Sequence, residues 1–100
     1  MDIGRQVPLM SRLSKVLRKV LDGRADASIR FADLCAMLER LGFEQHVRGS
    51  HHVFTHPSVP ELINLQSERG AAKQYQVRQV RRILLKHGLT RLGGGEDGDD

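Results

Sequence analysis

A chain of 100 residues, 39% of them hydrophobic and 28% charged, has room for one domain and for no second core of ordinary size. Its apolar runs are only a few residues long, so neither a transmembrane helix nor a signal-peptide core is expected, and no membrane role. A single cysteine, Cys35, excludes an intramolecular disulfide framework and a multi-cysteine zinc site, and the expected setting is a reducing, cytoplasmic compartment.

The formal net charge of +4 conceals an asymmetry. Glu96, Asp97, Asp99 and Asp100 stand in the last eight residues, where there is no base; without them, 16 bases face 8 acids, a charge of +8 over residues 1–92. Such a surface suits a polyanion. The aromatic residues are Phe31, Phe43, Phe54 and Tyr75. The core must claim at least some of them, which argues against an aromatic base-stacking platform and leaves phosphate contacts to dominate nucleic-acid binding.

In chain order, residues 1–10 read as a flexible arm. A helix over 11–22 follows, with Leu13, Val16, Leu17, Val20 and Leu21 on one face and Arg12, Lys15, Arg18 and Lys19 over much of the rest. Asp22-Gly23 stops it, and Arg24 to Ser28 reads as a linker. The second helix carries the stripe Phe31, Leu34, Cys35, Leu38 and Leu41 and ends at Gly42. Cys35 lies on that stripe and is expected to be a small core residue rather than a reactive thiol.

Between Phe43 and Leu65 the helical period gives way to strands. Three are expected: Phe43 to Val47, His51 to Thr55, and Glu61 to Leu65, with a turn at Arg48-Gly49-Ser50 and another near Pro57-Ser58. Gln66 to Lys73 reads as a loop. The last helix is expected from Tyr75 to His87, with Val77, Val80, Ile83 and Leu84 inside. Arg78, Arg81, Arg82 and Lys86 cluster on its opposite side within roughly 140° of arc. Residues 93–100 read as a disordered acidic tail. The fold class is α+β: a three-stranded antiparallel sheet with helices on one face.

Four of the five histidines fall within eleven residues: His46, His51, His52 and His56. His87, at the end of the last helix, reads as a capping group. Zinc binding finds no completing ligands, so no metal or other cofactor is expected. Ser50 beside His51 lacks the elbow and the third member that nucleophilic hydrolysis needs. Acid–base work on RNA remains, since an imidazole can take the proton of a 2′-hydroxyl that then attacks the adjacent phosphate. Alternation along a strand puts His52 with Phe54 toward the helices, and His51 with Val53 on the open face. Parity therefore favours His51.

Leu38-Glu39-Arg40-Leu41-Gly42-Phe43 followed by Arg48-Gly49-Ser50-His51-His52-Val53-Phe54 resembles the HicA toxin family, also called YcfA-like, as does the closing stretch Val80 to Leu89. The resemblance covers about residues 31–89. It implies a double-stranded-RNA-binding-like α-β-β-β-α core, here with an extra N-terminal helix ahead of a 24–92 domain. It also implies ribosome-independent mRNA cleavage, held in check by a HicB-like antitoxin that covers the active site. By this likeness His51 is the catalytic residue, Gly49 and Ser50 form the active-site turn, and a side chain at Gly49 would obstruct the RNA backbone. Arg48, His52, Lys73, Arg78, Arg81, Arg82 and Lys86 are the expected RNA contacts.

The chain departs from the family pattern in two places. Many members carry a Val-Pro-x-His-like segment in the third strand, where this chain has Ile63-Asn64-Leu65-Gln66. The N-terminal helix is an addition, open to packing on the domain edge, to self-association through residues 11–22, or to extending the basic surface. Signatures of duplex-RNA recognition are missing, so duplex specificity does not follow from the fold. The rival reading is a non-catalytic RNA-binding or interaction module that keeps the fold without the chemistry.

Overall fold

In the computed structural model, which describes residues 11–92, the first helix is cut at both ends by its own sequence. Ser11 accepts a hydrogen bond from the Ser14 amide at 3.0 Å, opening α1 (Arg12–Asp22). Gly23, in the left-handed region, closes it by donating to the Lys19 carbonyl. α2 (Phe31–Arg40) has no side-chain cap at its N-terminus. Its first amide, on Phe31, instead donates to the Gly70 carbonyl at 3.0 Å.

The sheet is a meander, β1 (Glu44–Arg48), β2 (His51–His56) and β3 (Val59–Leu65), antiparallel throughout. β1 and β2 are joined by Gly49-Ser50 alone, with Arg48 facing His51 across the hairpin. Gly49 has φ 59° and Ser50 does not share the positive φ, the sign pattern of a type II′ turn with glycine first. Between β2 and β3 the register slips by two residues, opposing Thr55 to the segment Pro60-Glu61-Leu62. Pro60, which has no amide hydrogen to give a ladder, sits in the slip.

The segment 66–73 is not the loop that its polar composition suggests. It holds a short hairpin, β4 (Ser67–Glu68) and β5 (Ala71–Ala72), that docks on the lead-in to α2 through Ala72 N–H to the Ile29 carbonyl at 2.9 Å. α3 (Gln74–Lys86) then returns across the domain. The Arg24–Ser28 linker contains one turn of 3-10 helix, Asp26–Ser28.

One core joins all three helices to one sheet face. Val16, Leu17 and Val20 of α1, Leu34, Met37 and Leu38 of α2, Phe54, Ile63 and Leu65 of the sheet, and Val77, Val80 and Leu84 of α3 are all buried together. The N-terminal helix is thus a full layer of the domain. Its apolar residues Val16, Leu17 and Val20 are spent inside. The flexible arm and the acidic tail expected at the two ends lie outside the described residues.

Candidate active site

The β1–β2 turn and the end of β3 assemble the site. Register places Arg48, His51, Val53 and Asn64 on the sheet face that looks away from the helices. His51 is exposed there, as strand parity requires. Its Nδ1 lies 3.2 Å from Oδ1 of Asn64. With an amide oxygen as partner Nδ1 is the donor, so in the neutral ring Nε2 is the nitrogen free to accept a proton. Two residues along, Gln66 Nε2 donates to Ser50 Oγ at 3.0 Å. Two amides, one in β3 and one just past its end, therefore hold the consecutive residues His51 and Ser50. Neither Asn64 nor Gln66 stood out as a site residue in the sequence; the only pointer was their place in the segment where the family's third-strand histidine is missing.

Directly across the hairpin from His51, Arg48 is exposed and has no acidic partner among the described residues. Cross-strand neighbours of this kind bring their Cβ atoms within about 5 Å. Arg48 and His51 thus leave the sheet side by side on one face, where a guanidinium suits a phosphate. Gly49 has open space where a Cβ would stand, so nothing in the protein crowds it; the backbone conformation is what requires the glycine.

The other histidines are used differently. His52 turns inward, with its ring edge-on to Phe31 at 4.9 Å between centroids. Its Nδ1 meets Gln45 Oε1 at 2.6 Å, and Gln45 in turn donates to Glu39 at 2.9 Å. This inward pose conflicts with its expected role as an RNA contact. His56 accepts from the Ser58 amide at Nδ1 (3.0 Å), which makes Nε2 the donor to the Leu41 carbonyl at 3.2 Å. Both nitrogens are occupied, and the ring packs 4.8 Å from Phe43. His46 is exposed beside Glu44 at 3.5 Å. His87 is structural, but its side chain reaches Glu61 of β3 at 2.8 Å and not the helix-end carbonyls expected of a cap.

The basic face read along α3 is divided by the structure. Arg81 is largely buried, forked onto both oxygens of Asp26 at 2.9 and 3.1 Å and donating to the Val20 carbonyl at 3.0 Å. That engagement raises its pKa, chiefly through the Asp26 hydrogen bond. Arg81 braces α3 against α1 and the 3-10 turn, an engagement at odds with the RNA contact expected of it. Lys86 is exposed but paired with Glu61 at 2.8 Å. Hydrogen bonds from Lys86 and His87 hold Glu61 down to a pKa of about 2. Arg78 and Arg82 are exposed without an acidic partner among the described residues, and Lys73 is half-buried and likewise unpaired. Cys35 is buried as its stripe demanded, and desolvation, with Glu39 adding, pushes the thiol up to about 11. Among the described residues no three His, Cys, Asp or Glu side chains converge in a way that could hold a metal ion, and no helix is long and apolar enough to cross a membrane.

The order α2, three antiparallel strands, α3, with a histidine presented at the first hairpin, coincides with the extent of a known family: residues 31–89 match the family described as HicA toxin of bacterial toxin-antitoxin. The chain belongs to the HicA toxin family. Comparisons with curated proteins and with solved structures bring no match. As a HicA toxin it is the toxin half of a toxin-antitoxin pair, and membership implies an antitoxin partner. The HicA match starts at Phe31, so α1 lies ahead of it although its side chains share the same core.

Proposed function

We propose that this HicA toxin is an mRNA endoribonuclease that works without a metal, with His51 as the general base, and that a HicB-like antitoxin silences it by covering the β1–β2 turn. The observation that carries the reading is the His51–Asn64 hydrogen bond, which leaves Nε2 of an exposed ring to accept a proton. In the reaction, Nε2 takes the proton of a ribose 2′-hydroxyl. The freed oxygen attacks the adjacent phosphorus and the bond from phosphorus to the 5′-oxygen breaks. That oxygen leaves as a hydroxyl, taking its proton from the newly protonated ring or from water, and a 2′,3′-cyclic phosphate remains.

Arg48, across the hairpin, would hold the phosphate and favour the charge that gathers on it during attack. Ser50, fixed by Gln66, keeps the turn in one shape so that His51 meets the backbone in one pose. Lys73, Arg78 and Arg82 would extend the grip on phosphates along the strand.

The test is His51→Ala in the full chain. Cleavage of RNA in EDTA and growth arrest should both vanish while the circular dichroism spectrum and the melting temperature stay as in the parent. A variant that still cuts removes His51 from the mechanism. Retention of RNA by the parent without any cutting, weakening steeply with salt, would instead favour the non-catalytic binding module.

A further inference from the structure

The three phenylalanines are all buried, but Tyr75 is 57% exposed. It stands in the first turn of α3 on an open groove of about 560 Å³, whose lining also includes Arg69, Lys73 and Arg78. None of these three cations has an acidic partner among the described residues, and Glu68 is the single acid in the lining. The aliphatic part of the lining is Ala27, Ala71 and Ala72, side chains too small to seat an apolar peptide anchor. An exposed aromatic ring ringed by free cations is the composition that single-stranded nucleic acid recognises, a base on the ring and phosphates on the charges.

The groove is joined to the active-site turn by one residue. Gln66 donates from its side chain to Ser50 and from its backbone to Oε1 of Gln76, the neighbour of Tyr75, at 3.3 Å. Gln76 is itself 3% exposed, so this joint is fixed in the core. The active-site turn and the first turn of α3 are thus both tied to Gln66.

We propose that Tyr75 is a base-stacking subsite for single-stranded RNA, with Arg69, Lys73 and Arg78 holding the phosphates that flank the stacked base. The proposal rests on the ribonuclease reading and deepens it, by naming a second point of grip away from the reacting phosphate. A base paired inside a duplex has no face free for the ring, so the subsite selects unpaired RNA. Because the contact is the same in ground and transition states, it contributes to binding and not to the chemical step.

The composition of the chain supplies the probe: Tyr75 is the only tyrosine and there is no tryptophan, so its fluorescence reports on this groove alone. In the full chain carrying His51→Ala, titration with a single-stranded RNA octamer should quench tyrosine emission saturably, and the same sequence as a blunt duplex should not. Adding Tyr75→Ala should weaken octamer binding, read by anisotropy of a labelled strand, by about 5- to 100-fold, whereas Tyr75→Phe should hold within about threefold. Replacing Arg69, Lys73 and Arg78 together with Ala should reduce the slope of log affinity against log salt by about 2. With His51 intact, Tyr75→Ala should raise KM and spare kcat.

Octamer binding with unchanged tyrosine emission and with full affinity in Tyr75→Ala would overturn the subsite. Equal quenching by the duplex would overturn its selectivity. Loss of the ribonuclease reading would show separately, as failure of the parent chain to cut RNA, because the titration needs no cleavage.

Discussion

Nδ1 of His51 on β2 is held by Oδ1 of Asn64 on β3 at 3.2 Å, so the third strand supplies the group that fixes the imidazole's tautomer. Asn64 lies in the segment Ile63-Asn64-Leu65-Gln66 that stands where the family pattern has Val-Pro-x-His, two residues before the histidine's place. Asn64→Leu should therefore lower kcat by about ten- to a hundredfold with little change in KM, because the ring loses its orientation while the RNA contacts remain. Asn64→Asp keeps an acceptor and adds a negative charge that favours the protonated ring. Its kcat should survive better, and the acid limb of the rate profile should move to higher pH. Profiles of both variants that match the parent would show that Asn64 does not position His51.

The two arginines three positions apart on α3 should separate by phenotype. Arg81→Ala leaves Asp26 and the Val20 carbonyl without their partner and should cost about 2–3 kcal/mol of stability in urea unfolding. Arg78→Ala, on the exposed side, should leave stability within about 0.5 kcal/mol and weaken RNA binding. A stable Arg81→Ala protein with impaired RNA binding would reverse the assignment.

Glu61 ties the bulged start of β3 to the end of α3 through Lys86 and His87. Its folded-state pKa of about 2 lies below the ordinary 4.5, so the folded protein binds fewer protons there than the unfolded chain. The stabilisation is fully present above pH 4.5 and is lost as pH falls toward 2. Between those values the parent should lose stability faster than Glu61→Gln, as read from urea midpoints at successive pH values. Parallel curves would show that the exposed contact is screened out.

The buried Cys35 thiol, at a pKa of about 11, carries about a hundredfold less thiolate at pH 8 than a thiol at the ordinary 9.0. Labelling by an aromatic disulfide reagent should accordingly be slow in the native protein and fast in urea. Fast native labelling would mean that α2 opens readily.

What could be read from the residues alone is what local periodicity encodes. The stripes Leu34-Cys35-Leu38 and Val77-Val80-Ile83-Leu84 gave the helices and their inner faces, and alternation around Phe54 put His51 outward and His52 inward. The β4–β5 hairpin escaped because its partner is the Ile29–Phe31 segment some forty residues upstream, a pairing that Ser67-Glu68 and Ala71-Ala72 do not announce. The brace made by Arg81 is hidden from the sequence for a related reason. Charge on a helical wheel says which way a side chain leaves its own helix, but not whether an Asp26 waits on another element. Asn64 and Gln66 carry no signal of their own, because neutral amides say nothing until their neighbours across the sheet are known.

The Arg81 brace has a bearing on where this toxin can be shortened. Its acceptors lie in α1 and the turn after it, ahead of the stretch that matches the family. Trimming the chain to residues 31–89 would strip Arg81 of its acceptors and uncover the apolar flanks of α2 and α3 at once. The N-terminal helix and Arg81 are therefore interdependent: the helix is part of what holds Arg81, and Arg81 is part of what holds the helix.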